Sequence, residues 1–217
     1  MSKEEIISVV KEYVKNKCYN DSTGHDWWHI QRVYNNAMLI NKKEKADEFI
    51  ITIIVFMHDL YDHKFYNGNI KGKLEETLRK LNIYNYISRN DIKNIVNSCA
   101  NLGFSANIAE KKELSIEGKI AQDADRLDAI GAIGIARTFA YGGKKGNSIY
   151  NPYNNDLVNE EEYKQKGSKT SISHFYDKLL KIKDLMNTDT AKIIAQERHK
   201  YLEDFLQEFF DEWNGKK

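Results

Sequence analysis

Apolar residues along this chain recur at three- and four-residue intervals rather than in alternation, and a single proline, Pro152, interrupts the whole length. Both features predict long helices and no sheet. Ser2 followed by Glu5 reads as a capping box, and Ile6, Val10, Tyr13, Val14 and Cys18 trace one face of a first helix. The polar run Asn20-Asp21-Ser22-Thr23-Gly24 ends it. A second helix is expected over about residues 26–42, with Ile30, Val33, Tyr34, Ala37 and Met38 inward. A third, over about 45–61, is apolar on most sides and is expected to be the central buried helix. Shorter helices are expected over 74–81 and 91–100, the latter capped near Asn90-Asp91.

One long helix is then expected over 117–141, with Gly118, Gly131 and Gly134 serving close packing and Gly142-Gly143 stopping it. Residues 142–169, rich in Gly, Asn, Lys and Glu, read as a loop that is either a lid over a site or a plain surface connection. Two last helices, over 171–187 and, behind a Thr188 cap, 190–213, close the bundle. The expected fold is all-α, a single-domain helical bundle over residues 1–217 with its core in about 20–140.

One position conflicts with this pattern. The apolar run over 49–57 leads directly into His58-Asp59, two metal-competent side chains that are costly to bury. A run this short does not span a bilayer, so no membrane association is expected. Lysine plus arginine number 33 against 32 acidic residues, which gives no basic surface for nucleic acid. Cys18 and Cys99 fit no disulfide or metal spacing, and the opening Met-Ser-Lys-Glu-Glu lacks the apolar stretch of a signal peptide. A cytoplasmic protein is expected.

Hydrolysis assisted by a metal at neutral pH needs nitrogen and oxygen ligands with positions left open. His58 and Asp59 offer one of each, and further ligands must come from other helices because adjacent helical side chains diverge by about 100°. His29 shares a face with Val33 and Ala37, so its ring is expected to point inward. Within Ala121-Gln122-Asp123-Ala124-Asp125-Arg126-Leu127-Asp128-Ala129, Asp125 and Asp128 lie about one turn apart among core-like residues. A core histidine and a solvated acidic stripe are the plainer readings of these two features.

Taken together, His29, the doublet His58-Asp59 and Asp125 resemble the HD superfamily of metal-dependent phosphohydrolases, whose motif is a histidine, an HD doublet and a distal aspartate, all on helices. The likeness covers most of the chain. It includes His25-Asp26-Trp27-Trp28-His29-Ile30, Asp62 and Lys64 after the doublet, the stretch from Asp123 to Ala132, and His174-Phe175-Tyr176-Asp177-Lys178-Leu179. These segments resemble a bacterial HD subfamily that includes nucleoside triphosphate pyrophosphohydrolases.

The resemblance implies an HD-type bundle with a metal site in its core, held by His29, His58, Asp59 and Asp125. Asp128 is the rival for the last place, and otherwise orients Arg126 or a ligand histidine, or contacts substrate. Binuclear members carry additional histidines between the doublet and the last aspartate, and here only His63 lies there, so one divalent ion per chain is expected. The family favours Mn²⁺, while a mixed imidazole and carboxylate set also suits Fe²⁺, Co²⁺, Ni²⁺ or Zn²⁺. Asp62, about one turn past Asp59, is assigned to the attacking water, with Lys64 beside it; a helix-end cap or a simple Asp62–Lys64 pair is the alternative.

A phosphate chain needs cations, and Lys64, Arg126, Arg137, His174 and Lys178 are the candidates. His25 is read as a substrate contact or a support behind the ligands. Trp27-Trp28, Tyr61, Phe65 and Tyr66 read as core or interface aromatics before base-stacking ones. The implied activity is hydrolysis of a nucleoside or deoxynucleoside triphosphate to monophosphate and pyrophosphate. A nucleoside monophosphate phosphatase (5′-nucleotidase), or a nucleotide-sensing module with weak turnover, would use the same cage. A small-molecule nucleotide is the expected partner, with base, sugar and oligomeric state open.

Overall fold

A computed structural model describes residues 1–18, 26–61, 68–102, 113–153 and 160–217, and all of these are helix, turn or irregular chain. Among the described residues the fold is all-α. It divides into two compact units, Met1–Ala124 and Asp125–Lys217. Among the described residues no helix is long and apolar enough to cross a membrane.

In the first unit, α1 (Lys3–Cys18) opens with the expected capping box: Ser2 N–H donates to Glu5 Oε2 at 2.7 Å and Glu5 N–H to Ser2 Oγ at 3.2 Å. α2 (Trp27–Glu44) ends where Lys45 turns left-handed, at φ 59°. This makes the third helix shorter than its apolar pattern suggests, since Asp47 caps a new start and α3 spans only Glu48–Met57. All of 49–57 is buried, as expected for a central helix, and α1, α2 and α5 rest against it. Each such aliphatic side chain contributes about 1.5–3 kcal/mol.

α4 (Ile70–Lys80) starts earlier than the pattern predicts because Asn69 accepts from Gly72 N–H, and a 3₁₀ turn follows at Tyr84–Tyr86. α5 (Arg89–Asn101) is capped by Ser88, which accepts from Asp91 N–H at 3.1 Å, rather than by Asn90 or Asp91. Gln122 of α6 (Ile116–Asp128) donates to the Asn101 and Leu102 carbonyls at the end of α5, at 3.4 and 3.2 Å.

The single helix expected over 117–141 is two. After Asp128 the chain tightens, with Ala129 N–H donating to Arg126 O and Ile130 N–H to Leu127 O, and Gly131 at φ 72° turns into α7 (Gly131–Lys145). Nor do Gly142-Gly143 stop that helix. Glycine inside a helix costs propensity without breaking hydrogen bonds, whereas the left-handed cap at Gly146, φ 75°, ends it. The stretch 142–169 therefore begins as helix and ends in another, α8 (Glu160–Lys166), while 154–159 lie outside the described residues. The expected helix over 171–187 is also divided, into α9 (Ser171–Asp177) and a 3₁₀ segment Leu179–Leu185, with Lys178 off helical geometry at φ −135° between them. α10 (Asp189–Trp213) starts on its Thr188 cap as expected. In this second unit α7 and the 3₁₀ segment both rest against α9 and α10.

Close approach explains two of the glycines. A Cβ on Gly134 would stand 2.2 Å from the Ala129 carbonyl oxygen, and one on Gly118 2.5 Å from Ser98 Oγ, whereas Gly143 faces open space. Gly134→Ala should therefore destabilise by about 1–3 kcal/mol in urea titration, and Gly143→Ala should stabilise by about 0.5–1 kcal/mol. A neutral Gly134→Ala would contradict this corner geometry.

Burial dominates the upward displacement of the Cys99 thiol pKa, with the Asp59 charge adding to it, and the thiol lies 3.6 Å from the Ile54 carbonyl. The thiol stays protonated and unreactive where ordinary thiols alkylate. Iodoacetamide at mildly alkaline pH should leave Cys99 unmodified by mass spectrometry until denaturant is added, and rapid native labelling would contradict its burial.

Candidate metal centre

Three helix features bring the candidate ligands to their places. Asp26 caps α2 by accepting from the His29 backbone N–H at 2.9 Å, which fixes the first turn and points His29 inward with Ile30, Val33 and Ala37. His29 is 1% exposed, so the inward face read from its spacing is the one the fold adopts. His58 is the cap residue that closes α3, and its ring turns back so that Nδ1 lies 2.7 Å from the Val55 carbonyl oxygen.

That contact decides the ring's chemistry. A nitrogen facing a carbonyl oxygen carries the hydrogen, so Nε2 of the neutral ring presents a lone pair. Nε2 lies 3.3 Å from Asp59 Oδ2, and His29 Nε2 lies 3.3 Å from the same oxygen. The two imidazoles meet edge to face, with ring centroids 5.5 Å apart. A nitrogen lone pair and a carboxylate oxygen facing each other repel unless a proton or a cation stands between them. Ligands about 2.0–2.2 Å from one ion lie roughly 3–4 Å from each other, which is the spacing found here.

Asp125 follows Ala124 within α6. Asn36 donates to the Ala124 carbonyl at 3.2 Å from the buried face of α2, seven residues after His29. Among the described residues, His29, His58 and Asp125 each offer a ligand atom within 4.8 Å of the others. A candidate site of two histidines and an aspartate is thus present, with Asp59 against both imidazoles. This donor set fits a divalent transition ion with coordination positions to spare.

The other acidic residues of α6 face different partners. Asp123 is fully buried, and Asp128, 1% exposed, accepts from Arg137 Nη1 at 2.8 Å through Oδ2. Arg126 donates to the Leu185 carbonyl. His174 Nδ1 lies 3.2 Å from Ser168 Oγ, with the Tyr163 ring stacked on the imidazole, and Lys178 is the residue at the break after α9. His25, Asp62 and Lys64 lie outside the described residues. Trp27 is buried and stacks on Phe56 as a core aromatic, whereas Trp28 is exposed, and Tyr61 hydrogen-bonds Thr77 Oγ1 at 2.8 Å.

Sequence reasoning missed Asn36 and Arg198. Asn36 had a signal, an amide on the apolar stripe that carries His29. Arg198, which donates to the Leu127 carbonyl, had none, since one arginine in an amphipathic helix is ordinary.

Comparison with known proteins agrees with this geometry. Residues 27–130 match the HD domain family, a span that includes His29, the doublet and Asp125. The uncharacterized protein YpgQ of Bacillus subtilis is 36% identical over 200 residues, covering 92% of this chain and 89% of YpgQ. Its crystal structure in complex with ADP superposes with a TM-score of 0.74 and 31% identity over 98% of this chain and 97% of that one. A protein of known structure from Lactobacillus plantarum gives a TM-score of 0.81 at 35% identity, covering 99% of this chain and 100% of that one. An HD-superfamily hydrolase from Bacillus thuringiensis gives 0.75 at 39% identity, covering 98% and 99%. With two buried imidazoles and carboxylates converging in the span that matches, this chain belongs to the HD domain family.

Proposed function

We propose that the protein is a divalent-metal-dependent phosphohydrolase that converts a nucleoside or deoxynucleoside triphosphate to the monophosphate and pyrophosphate. The observation that carries this reading is the pair of imidazole nitrogens set 3.3 Å from one carboxylate oxygen. Structures that share this fold include an HD-superfamily hydrolase, and the YpgQ structure holds ADP, which supports a nucleotide as the ligand class.

In this reading His29, His58, Asp59 and Asp125 hold one ion, with Mn²⁺ the favoured metal. When bound, the ion supplies Lewis acidity toward a phosphoryl oxygen and lowers the pKa of water. The protein's own work is positional. The Val55 carbonyl holds the His58 tautomer, the Asp26 cap holds the turn of His29, and Asn36 ties down the residue before Asp125. Asp62 orients the attacking water and takes its proton. Lys64, His174 and Lys178 are the cations offered to the phosphate chain, whereas the hydrogen bonds of Arg126 and Arg137 run to the protein's own carbonyls and to Asp128.

A Mn²⁺-supplemented nucleotide panel that separates pyrophosphate from orthophosphate tests the reading. Pyrophosphate should appear in equal amount with nucleoside monophosphate. His58→Ala should lose more than the roughly 10–100-fold typical of residues that only support ligands. Orthophosphate alone would favour monophosphate hydrolysis, and nucleotide binding without product would favour a sensing module.

Asp62→Asn should separate chemistry from ligation. Turnover should fall by about 10²–10⁴-fold while bound metal, measured by plasma emission, stays at the wild-type ratio. Unchanged turnover would remove Asp62 from its role.

A further inference from the structure

The last turn of α6 is held by three arginines. Arg198 of α10 donates Nη1 to the Leu127 carbonyl at 2.6 Å. Arg137 of α7 donates Nη1 to the Asp128 carbonyl at 3.3 Å and to Asp128 Oδ2 at 2.8 Å. Arg126, within the turn, donates to the Leu185 carbonyl. Leu127 and Asp128 supply two of the carbonyls at the helix end, that of Leu127 accepting from the Ile130 N–H as well as from Arg198, and a guanidinium is the donor that the negative end of a helix favours.

These bonds are partly sheltered, since Asp128 is 1% and Arg126 7% exposed, and charge-assisted hydrogen bonds strengthen as water is excluded. Burial pulls the Arg198 pKa down and the Asp128 charge opposes that pull, so two guanidinium groups act on one carboxylate. The aliphatic stem of Arg198 also covers Gly131, whose added Cβ would stand 3.1–3.4 Å from Arg198 Cγ, Cβ and Cδ. Gly131 at φ 72° is the corner between α6 and α7. The same arginine thus secures both the end of the helix and the turn that follows.

Resting on the proposal that Asp125 is a metal ligand, we infer that Arg137 and Arg198 are positioning residues that fix the turn carrying Asp125 and thereby set the affinity of the metal centre without touching metal or substrate. A ligand must be held within about 0.5 Å of its productive place, and groups that orient ligands commonly govern affinity by about 10–100-fold. The arginine donors are directed at the protein's own carbonyls and carboxylate, which is the arrangement positioning requires.

The test is Mn²⁺ affinity of the metal-free full-length protein, measured by competition with a chromophoric chelator, alongside amide hydrogen exchange. Arg198→Met keeps the stem over Gly131 and removes the donor, Arg137→Met removes the Asp128 clamp, and Arg198→Lys restores a cationic donor. Each methionine variant should bind Mn²⁺ about 10–100-fold more weakly, with faster exchange at the Ala129 and Ile130 amides, and the lysine variant should recover most of the affinity. Unchanged affinity in the methionine variants, or a lysine variant as weak as Arg198→Met, overturns the inference. If Arg198→Met does not fold, Arg137→Met decides, because the Arg137 side chain is already 29% exposed. Mn²⁺ binding by wild type that is lost in Asp125→Asn sustains the metal reading independently, so a failure of the arginine variants then counts against the arginines alone. No Mn²⁺ binding by wild type overturns both.

Discussion

The structure depends on an electrostatic conflict at the end of its most apolar helix. His29 and His58 are buried, and each sets Nε2 3.3 Å from the same Asp59 oxygen. Holding a largely enclosed carboxylate against the lone pair that His58 Nε2 presents is unfavourable unless a positive charge offsets it. A divalent cation held among these atoms would turn that repulsion into ligation, and the buried helix α3 would supply a dry wall beside it. The surrounding devices each remove a degree of freedom from one donor: the Asp26 cap, the Val55 carbonyl against the ring, and the Asn36 amide on Ala124.

Much of this was legible in the sequence because burial and local spacing carry it. The run 49–57 reads as a buried helix from composition alone, and His29 reads inward from its stripe with Val33 and Ala37. The convergence of His29, His58 and Asp125 was legible only as a joint pattern, since each residue alone has a plainer use. Helix ends were less legible. The break at Gly131 and the cap at Gly146 depend on which glycines adopt positive φ, and periodicity does not distinguish those from Gly142 and Gly143 inside the helix. Asp125 and Asp128 were equivalent rivals by spacing. Asp128 is taken up by the distant Arg137 guanidinium, whereas Asp125 offers an oxygen within 4.8 Å of a nitrogen of each imidazole.

The same contrast applies to the cations. A charged residue near a motif suggests a substrate contact, yet the hydrogen bonds of Arg126 and Arg137 run to the protein's own carbonyls and to a buried carboxylate. Long-range backbone acceptors such as Leu127 and Leu185 leave no trace in a linear pattern. What the sequence shows as acidic and basic residues crowded on one helix becomes, in three dimensions, a division between a helix face with candidate ligand atoms and a helix end that is held.

The most direct measurement of the central claim is an anomalous-difference map from crystals grown with Mn²⁺. The account predicts one peak at bonding distance from His29 Nε2, His58 Nε2 and the carboxylates of Asp59 and Asp125. Ordered imidazoles with no peak among them, or a peak ligated elsewhere in the chain, would contradict it.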